Sequence, residues 1–212
     1  SPAGSAMLPF HDVRHHLSGL WLLIRGDARG LSAFDISDQG VARSFLAILW
    51  CLPAIVAGWM FKRAEYAQAH PRGGDGVIAF AGKMFLVEIA QWIVPVLAIC
   101  LVAVAFGLRP LLRTLIVTRN WFTVPLVYAS YVTAFPVSLA LDSLFGTGLV
   151  YRYGVLGVML AVLVGAIFLY WRLLATVVGG SAWLRASLLG FTVMTELVVV
   201  SWLETSLGVK IA

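Results

Sequence analysis

The stretch "VIAFAGKMFLVEIAQWIVPVLAICLVAVAFG", residues 77–107, is apolar over more than the roughly 20 residues a helix needs to cross a bilayer. Lipid gives the backbone no hydrogen-bond partner, so such a stretch must be helical wherever it spans. Comparable stretches lie at about 41–61, 120–144, 150–174 and 183–206. Soluble domains carry roughly 25% charged residues. This chain carries 12%, with 61% hydrophobic residues and a mean hydropathy of +0.94, too little polar surface to coat a water-soluble globule. The expected fold class is all-α: a polytopic membrane helical bundle of five transmembrane helices, preceded by an amphipathic interfacial helix.

Residues 1–6, "SPAGSA", read as a cloning remnant ahead of Met7. Residues 7–40 form an N-terminal interfacial and cytoplasmic segment, and 41–206 the five-helix membrane domain. Within 8–26, Leu8, Val13, Leu17, Leu20, Trp21 and Ile24 fall near helical spacing, with Asp12, Arg14, His15 and His16 on the other side. That pattern predicts a helix lying at the membrane surface with Trp21 at headgroup depth, ended by Gly26 and Gly30. It lacks a small-residue cleavage site, so the first span is expected to serve as the insertion signal. Asp35, Ser37 and Asp38 are candidate N-caps for that span. Pro53 should kink it, and residues 62–76 are expected as a polar loop. The connector after span two carries Arg109, Arg113 and Arg119 and a candidate surface helix, "PLLRTLIV".

The net charge is +5 and the pI about 9.6. The bases sit mostly between apolar segments, where lipid headgroups and the positive-inside bias account for them, so nucleic acid is not an expected partner. Placing the N-terminus in the cytoplasm puts Arg14, Arg25, Arg29, Arg43, Arg109, Arg113, Arg119, Arg172 and Arg185 inside. Lys62, Arg63, Arg72, Arg152 and Lys210 are then outside. The imbalance favours that orientation. Cys51 and Cys100 lie inside apolar stretches and read as small buried hydrophobes. Arg dominates over Lys, and Ala, Val and Leu abound, which suggests a bacterial inner membrane.

Glu196 stands in the middle of the last span, with Thr192 one turn earlier. A charged side chain there costs roughly 2.5–3.5 kcal/mol on insertion scales. Glu88 and Gln91 form a second polar face in span two, and Asp142 with Ser138 a third. At about 1.5 Å per residue, Glu88 and Glu196 both reach mid-depth and could share a site. One reading is a proton or cation relay; the other is interhelical hydrogen bonding that holds the bundle. Lys83 is expected to snorkel to the outer surface. His11 and His15 are one turn apart, but two imidazoles without a third ligand read as a solvated face, and no metal or cofactor is expected. Nucleophile, zincin and phosphate-loop motifs are missing from the chain, so catalysis is not expected. Gly157, Ala161 and Gly165 make two small-xxx-small steps on one face of span four, which should pack closely on a neighbour within the chain or in a second copy.

The segment "WRLLATVVGGSAWLRASLL", residues 171–189, has an aromatic-basic helix end, a Gly-Ser turn and a basic helix opening. With "RNWFTVPLVY" and the five closely spaced spans, it resembles bacterial members of the Yip1 family over about residues 40–206. The tyrosine- and glycine-containing cytoplasmic motif of the eukaryotic members is absent. The resemblance implies a non-enzymatic membrane protein that binds partner proteins or shapes lipid, with possible self-association. The alternative is a small oligomeric channel or a proton- or cation-coupled transporter that uses the mid-membrane carboxylates.

Overall fold

The computed structural model describes residues 10–210 apart from 72 and 147, with the side chains of 10, 11, 132, 134, 135 and 138 also outside the description. The proposed remnant at 1–6 lies outside the described residues. Seven α-helices follow one another among those described: α1 (Phe10–Ile24), α2 (Asp38–Ser44), α3 (Ala47–Ala69), α4 (Val77–Ala105), α5 (Leu112–Phe145), α6 (Leu149–Val177) and α7 (Ala182–Ser206). No strand occurs among the described residues. The chain divides into two compact units, residues 1–54 with 113–180, and residues 55–112 with 181–212.

Four helical stretches are long and apolar enough to cross a membrane: Asp38–Ala69, Val77–Ala105, Leu149–Val177 and Ala182–Ser206. The chain is therefore a helical membrane protein, with four such stretches among the described residues where five were expected. The missing one falls on α5. The first third of α5 holds Arg113, Arg119 and Asn120 and is wrapped by protein, and four side chains of its second half lie outside the description. The expected surface helix "PLLRTLIV" is likewise corrected. Arg109–Leu111 forms one 3-10 turn, and the rest opens α5 itself. The expected 62–76 loop shortens as well, because α3 runs on to Ala69. Lys, Arg, Ala, Glu and Gln are all good helix formers, so polarity there did not mean loop.

In the first unit the core forms around α5. Leu115, Val117, Thr118, Asn120, Trp121, Phe122 and Val124 are all buried, so protein surrounds this segment on every side. Helix α1 docks through Val13, Leu20 and Leu23, all buried. Burying three such side chains contributes roughly 1.5–3 kcal/mol each. Hydrogen bonds contribute less, about 0.5–1.5 kcal/mol each, so packing holds the helix and polar groups set its position. Those groups come from α6. Thr176 Oγ1 donates to the Leu23 carbonyl at 2.7 Å and Arg172 Nε to that of Ile24 at 3.0 Å. Arg172 thereby satisfies a carbonyl of the kind a helix C-terminus leaves unpaired, while the Leu23 carbonyl also accepts from Gly26 N–H at 3.0 Å.

Gly26 ends α1 as expected, but Gly30 does not. It lies in a 3-10 helix, Ala28–Ala33, packed on α1. A Cβ on Gly30 would come 2.4 Å from the Gly19 carbonyl oxygen, so only glycine permits this backbone approach. Ser37 caps α2, accepting from Gly40 N–H at 3.0 Å.

In the second unit, Phe80, Met84 and Val87 at the start of α4 meet Val200, Leu203 and Leu207 at the end of α7. The two helices therefore run antiparallel. Trp59 and Tyr66 of α3 join the same cluster. Gly208, at φ +67, takes up the left-handed turn after α7, and Val209 N–H bonds back to the Glu204 carbonyl at 3.0 Å. That turn brings Val209 into the cluster, where it is fully buried.

Candidate functional site

Two polar assemblies stand out, one in each unit. The first is a cavity of about 170 Å³ in the first unit, lined by Asp12 and His16 of α1, Asp35 of the following loop, Arg43 and Ser44 of α2, and Trp121 of α5. Its wall is made by stacking. The His16 ring lies 4.1 Å from the Trp121 ring, centroid to centroid and nearly parallel, and meets Phe34 edge-on at 5.5 Å. His16 was expected on the solvated face of α1; it turns inward instead, because the Trp121 indole offers it an aromatic face. Its Nδ1 bonds the Asp12 backbone carbonyl. A carbonyl can only accept, so Nδ1 carries the proton and Nε2 is left as an acceptor in the neutral ring. Burial pushes the His16 pKa down, partly offset by that hydrogen bond.

Below the cavity, Asn120 Nδ2 donates to Ser44 Oγ at 2.9 Å, and Ser44 Oγ donates to the Val41 carbonyl at 2.7 Å. Thr118 donates to the Thr114 carbonyl at 2.7 Å, and Arg119 pairs with Thr123. At the mouth, Asp35 Oδ1 accepts from Ser37 N–H at 2.9 Å. Its carboxyl sits below the usual carboxylate range through its bonds with Ser37, and Arg43 adds attraction. Arg113 pairs with Asp38 at 2.8 Å on the exposed surface, a pairing of little energetic weight.

The second assembly ties the helices of the second unit. Trp59 Nε1 of α3 donates to Glu88 Oε1 of α4 at 3.0 Å. Lys62 of α3 pairs with Glu204 of α7. Asp75, in the α3–α4 loop, accepts from Lys83 Nζ at 2.6 Å and from Tyr66 Oη at 3.0 Å, while its backbone carbonyl accepts from Arg63 at 2.9 Å. The bond from Lys83, then that from Tyr66, holds the Asp75 carboxyl below its ordinary value. Lys83 thus pairs with an acid, which overrides the expectation that it snorkels free.

The other expected site residues fare differently. Glu88 is half-buried with Trp59 as its partner. Gln91 and Glu196 are half-buried on α4 and α7. Thr192 is 1% exposed, and its hydroxyl has no hydrogen-bond partner. Asp142 is exposed near the end of α5, and the Ser138 side chain lies outside the description. Around Gly157 and Gly165 a Cβ would meet nothing within 4 Å, whereas one on Gly154 would come 2.6 Å from Leu141 Cδ1. The close approach of α6 to α5 therefore runs through Gly154, and the Gly157, Ala161 and Gly165 face lies open within this chain. The His11 side chain lies outside the description and His15 is exposed. Among the described residues no three metal-binding side chains converge.

Sequence reasoning missed the cavity and the Lys62–Glu204 pair. The only signal for the cavity was the unusual polarity of "TRNW" beside an aromatic run. No family model, curated protein or solved structure matches the chain.

Proposed function

We propose that this is a five-span integral membrane protein of the bacterial inner membrane that organises lipid or partner proteins and is not an enzyme. In this reading the second half of α5 is the fifth span. Helix α1 lies at the cytoplasmic surface, its exposed Trp21 and Leu22 reaching the headgroups. The Yip1 resemblance points to the same kind of work. One observation carries the reading: acids of the helical stretches serve as interhelical ties, Glu88 to Trp59 and Glu204 to Lys62. A carboxylate engaged in such a tie is poorly placed to hand ions on. The open face of α6 supports self-association.

The test is proton and cation flux into proteoliposomes, wild type beside Glu88→Gln and Glu196→Gln, each checked for monodispersity. The expected result is no flux above empty vesicles in any of the three, with the substitutions changing only folding yield. Conductance by the wild type that Glu196→Gln abolishes, with the fold intact, would overturn the reading and favour a channel or transporter. That second reading has its own support. Thr192 Oγ1 and Trp92 Nε1 are buried in the second unit without partners, and Thr192 lies one turn from Glu196. Unpaired buried donors are costly and need a reason.

A further inference from the structure

Helix α1 turns Val13, Leu20 and Leu23 to the core of its unit and leaves its other side exposed. Arg14, Ser18, Trp21 and Arg25 stand there at i, i+4, i+7 and i+11, and all four are exposed. Arg25 N–H still donates to the Trp21 carbonyl at 3.1 Å, so helical spacing reaches it although α1 ends at Ile24. At 3.6 residues per turn the four positions share a stripe about 60° wide. Leu17 and Leu22 flank that stripe, and Trp21 in its middle is 57% exposed. An indole with an apolar body and one N–H suits the boundary between hydrocarbon and water.

The stripe is positive, and no acid offsets it. Arg14 and Arg25 form no ion pair among the described residues. The neighbouring carboxylates are engaged elsewhere. Asp27 accepts from Arg29 Nη2 at 2.6 Å and from its Nε at 3.0 Å. Asp12 lies on another side of α1 and has an interaction of its own. Ser18 Oγ donates to the Arg14 carbonyl at 2.9 Å, so the two guanidinium groups are the strong donors left to the stripe.

The level at which α1 is fastened says what meets those donors. Arg172 and Thr176, which bond the Ile24 and Leu23 carbonyls, stand close to the end of Leu149–Val177, a stretch long and apolar enough to cross the membrane. A helix held there lies at the depth of lipid phosphates. A guanidinium takes phosphate oxygens in a two-pronged bond. An acidic protein could pair with the arginines, but the exposed Trp21 and Leu22 between them at this depth favour lipid.

We propose that the Arg14–Trp21–Arg25 face of α1 binds acidic phospholipid, with the arginines on the phosphates and Trp21 among the upper acyl carbons. The inference rests on the reading that α1 lies at the membrane surface and adds the class of lipid it selects.

The experiment uses the full chain in nanodiscs of phosphatidylcholine. A rising fraction of the lipid is replaced by brominated phosphatidylglycerol or, in a parallel series, by brominated phosphatidylcholine. Bromine on the acyl chains quenches indoles that touch them, and the difference between wild type and Trp21→Phe isolates Trp21. Each arginine near an acidic surface is expected to contribute about fivefold. Brominated phosphatidylglycerol should therefore half-quench Trp21 at a roughly twentyfold lower fraction than brominated phosphatidylcholine. Arg14→Gln with Arg25→Gln should bring the two lipids close together, with an unchanged melting temperature because neither side chain has a partner to lose. Arg14→Lys with Arg25→Lys should keep most of the preference. Equal quenching by both lipids in the wild type would overturn the choice of acidic lipid and leave α1 at the membrane surface. A preference untouched by the double glutamine variant would overturn the role of this stripe. Trp21 unquenched by either lipid would overturn the proposal together with the surface placement of α1, and would leave the face to an acidic protein.

Discussion

His16 turns a local stacking interaction into a pH response. Its ring is buried against Trp121 and Phe34, and burial favours the neutral form. The His15 charge acts the same way, while the Asp12 carbonyl and carboxylate oppose it. The folded pKa thus lies below the ordinary 6.5. The stabilising contribution is fully present above pH 6.5, because neither state then holds the proton. It is lost as pH falls from 6.5 through the lower folded value, because the unfolded chain takes up the proton first. Thermal melts between pH 7.5 and pH 5 should show the melting temperature falling with acidification. In His16→Gln, which cannot titrate, that fall should be shallower. A slope identical to wild type would mean that His16 is not the group responsible.

At the scale of elements, α1 illustrates how a short helix is placed. Its hydrophobic periodicity was visible in the sequence, and among the described residues α1 ends at Ile24, within two residues of the expected end at 26. The partner it would choose was not visible. Docking depends on Gly19 meeting Gly30, on Trp121 accepting His16, and on Thr176 and Arg172 reaching the last carbonyls of α1. The Thr176 bond is the easiest to remove without changing shape. Thr176→Val is expected to cost about 0.5–1.5 kcal/mol and to speed hydrogen exchange in the last turn of α1 while α7 is unaffected. Exchange unchanged in α1 would show that packing alone positions it. Helix α3 teaches the opposite lesson about polarity. Residues 62–69 look like loop by composition, yet they remain helical because Lys62 finds Glu204 and Tyr66 is buried against Phe80.

Across the whole molecule, the main unspent surface is on α6. Little of its membrane-length window is buried, and Leu156, Met159, Leu160, Val164 and Phe168 are all exposed. Lipid can cover such side chains, so their exposure is no cost in a bilayer. The small residues among them invite a second helix to approach closely. Because a Cβ at Gly157 or Gly165 meets nothing in this chain, Gly157→Leu with Gly165→Leu should leave the fold and melting temperature of the monomer unchanged. The same pair should shift a self-associated species toward monomer in light scattering of the detergent-solubilised protein. If the mass distribution did not move, the α6 face would be covered by lipid and not by a second copy.

What the sequence determined by itself was helicity and the membrane class. A chain this apolar has too few polar residues to face water, and lipid leaves its backbone no alternative to the helix. The ends of three helices followed from the same reasoning: α4, α6 and α7 begin and end within three residues of the expected 77–107, 150–174 and 183–206. Only the tertiary structure decided which polar groups meet. Ser44 with Asn120, Lys62 with Glu204, Trp59 with Glu88 and Arg172 with the Ile24 carbonyl are all far apart in the chain. Their proximity comes from packing of whole helices, to which every residue contributes a little. Hydropathy registers only how much each side chain avoids water, and that quantity is blind to which partner it finds.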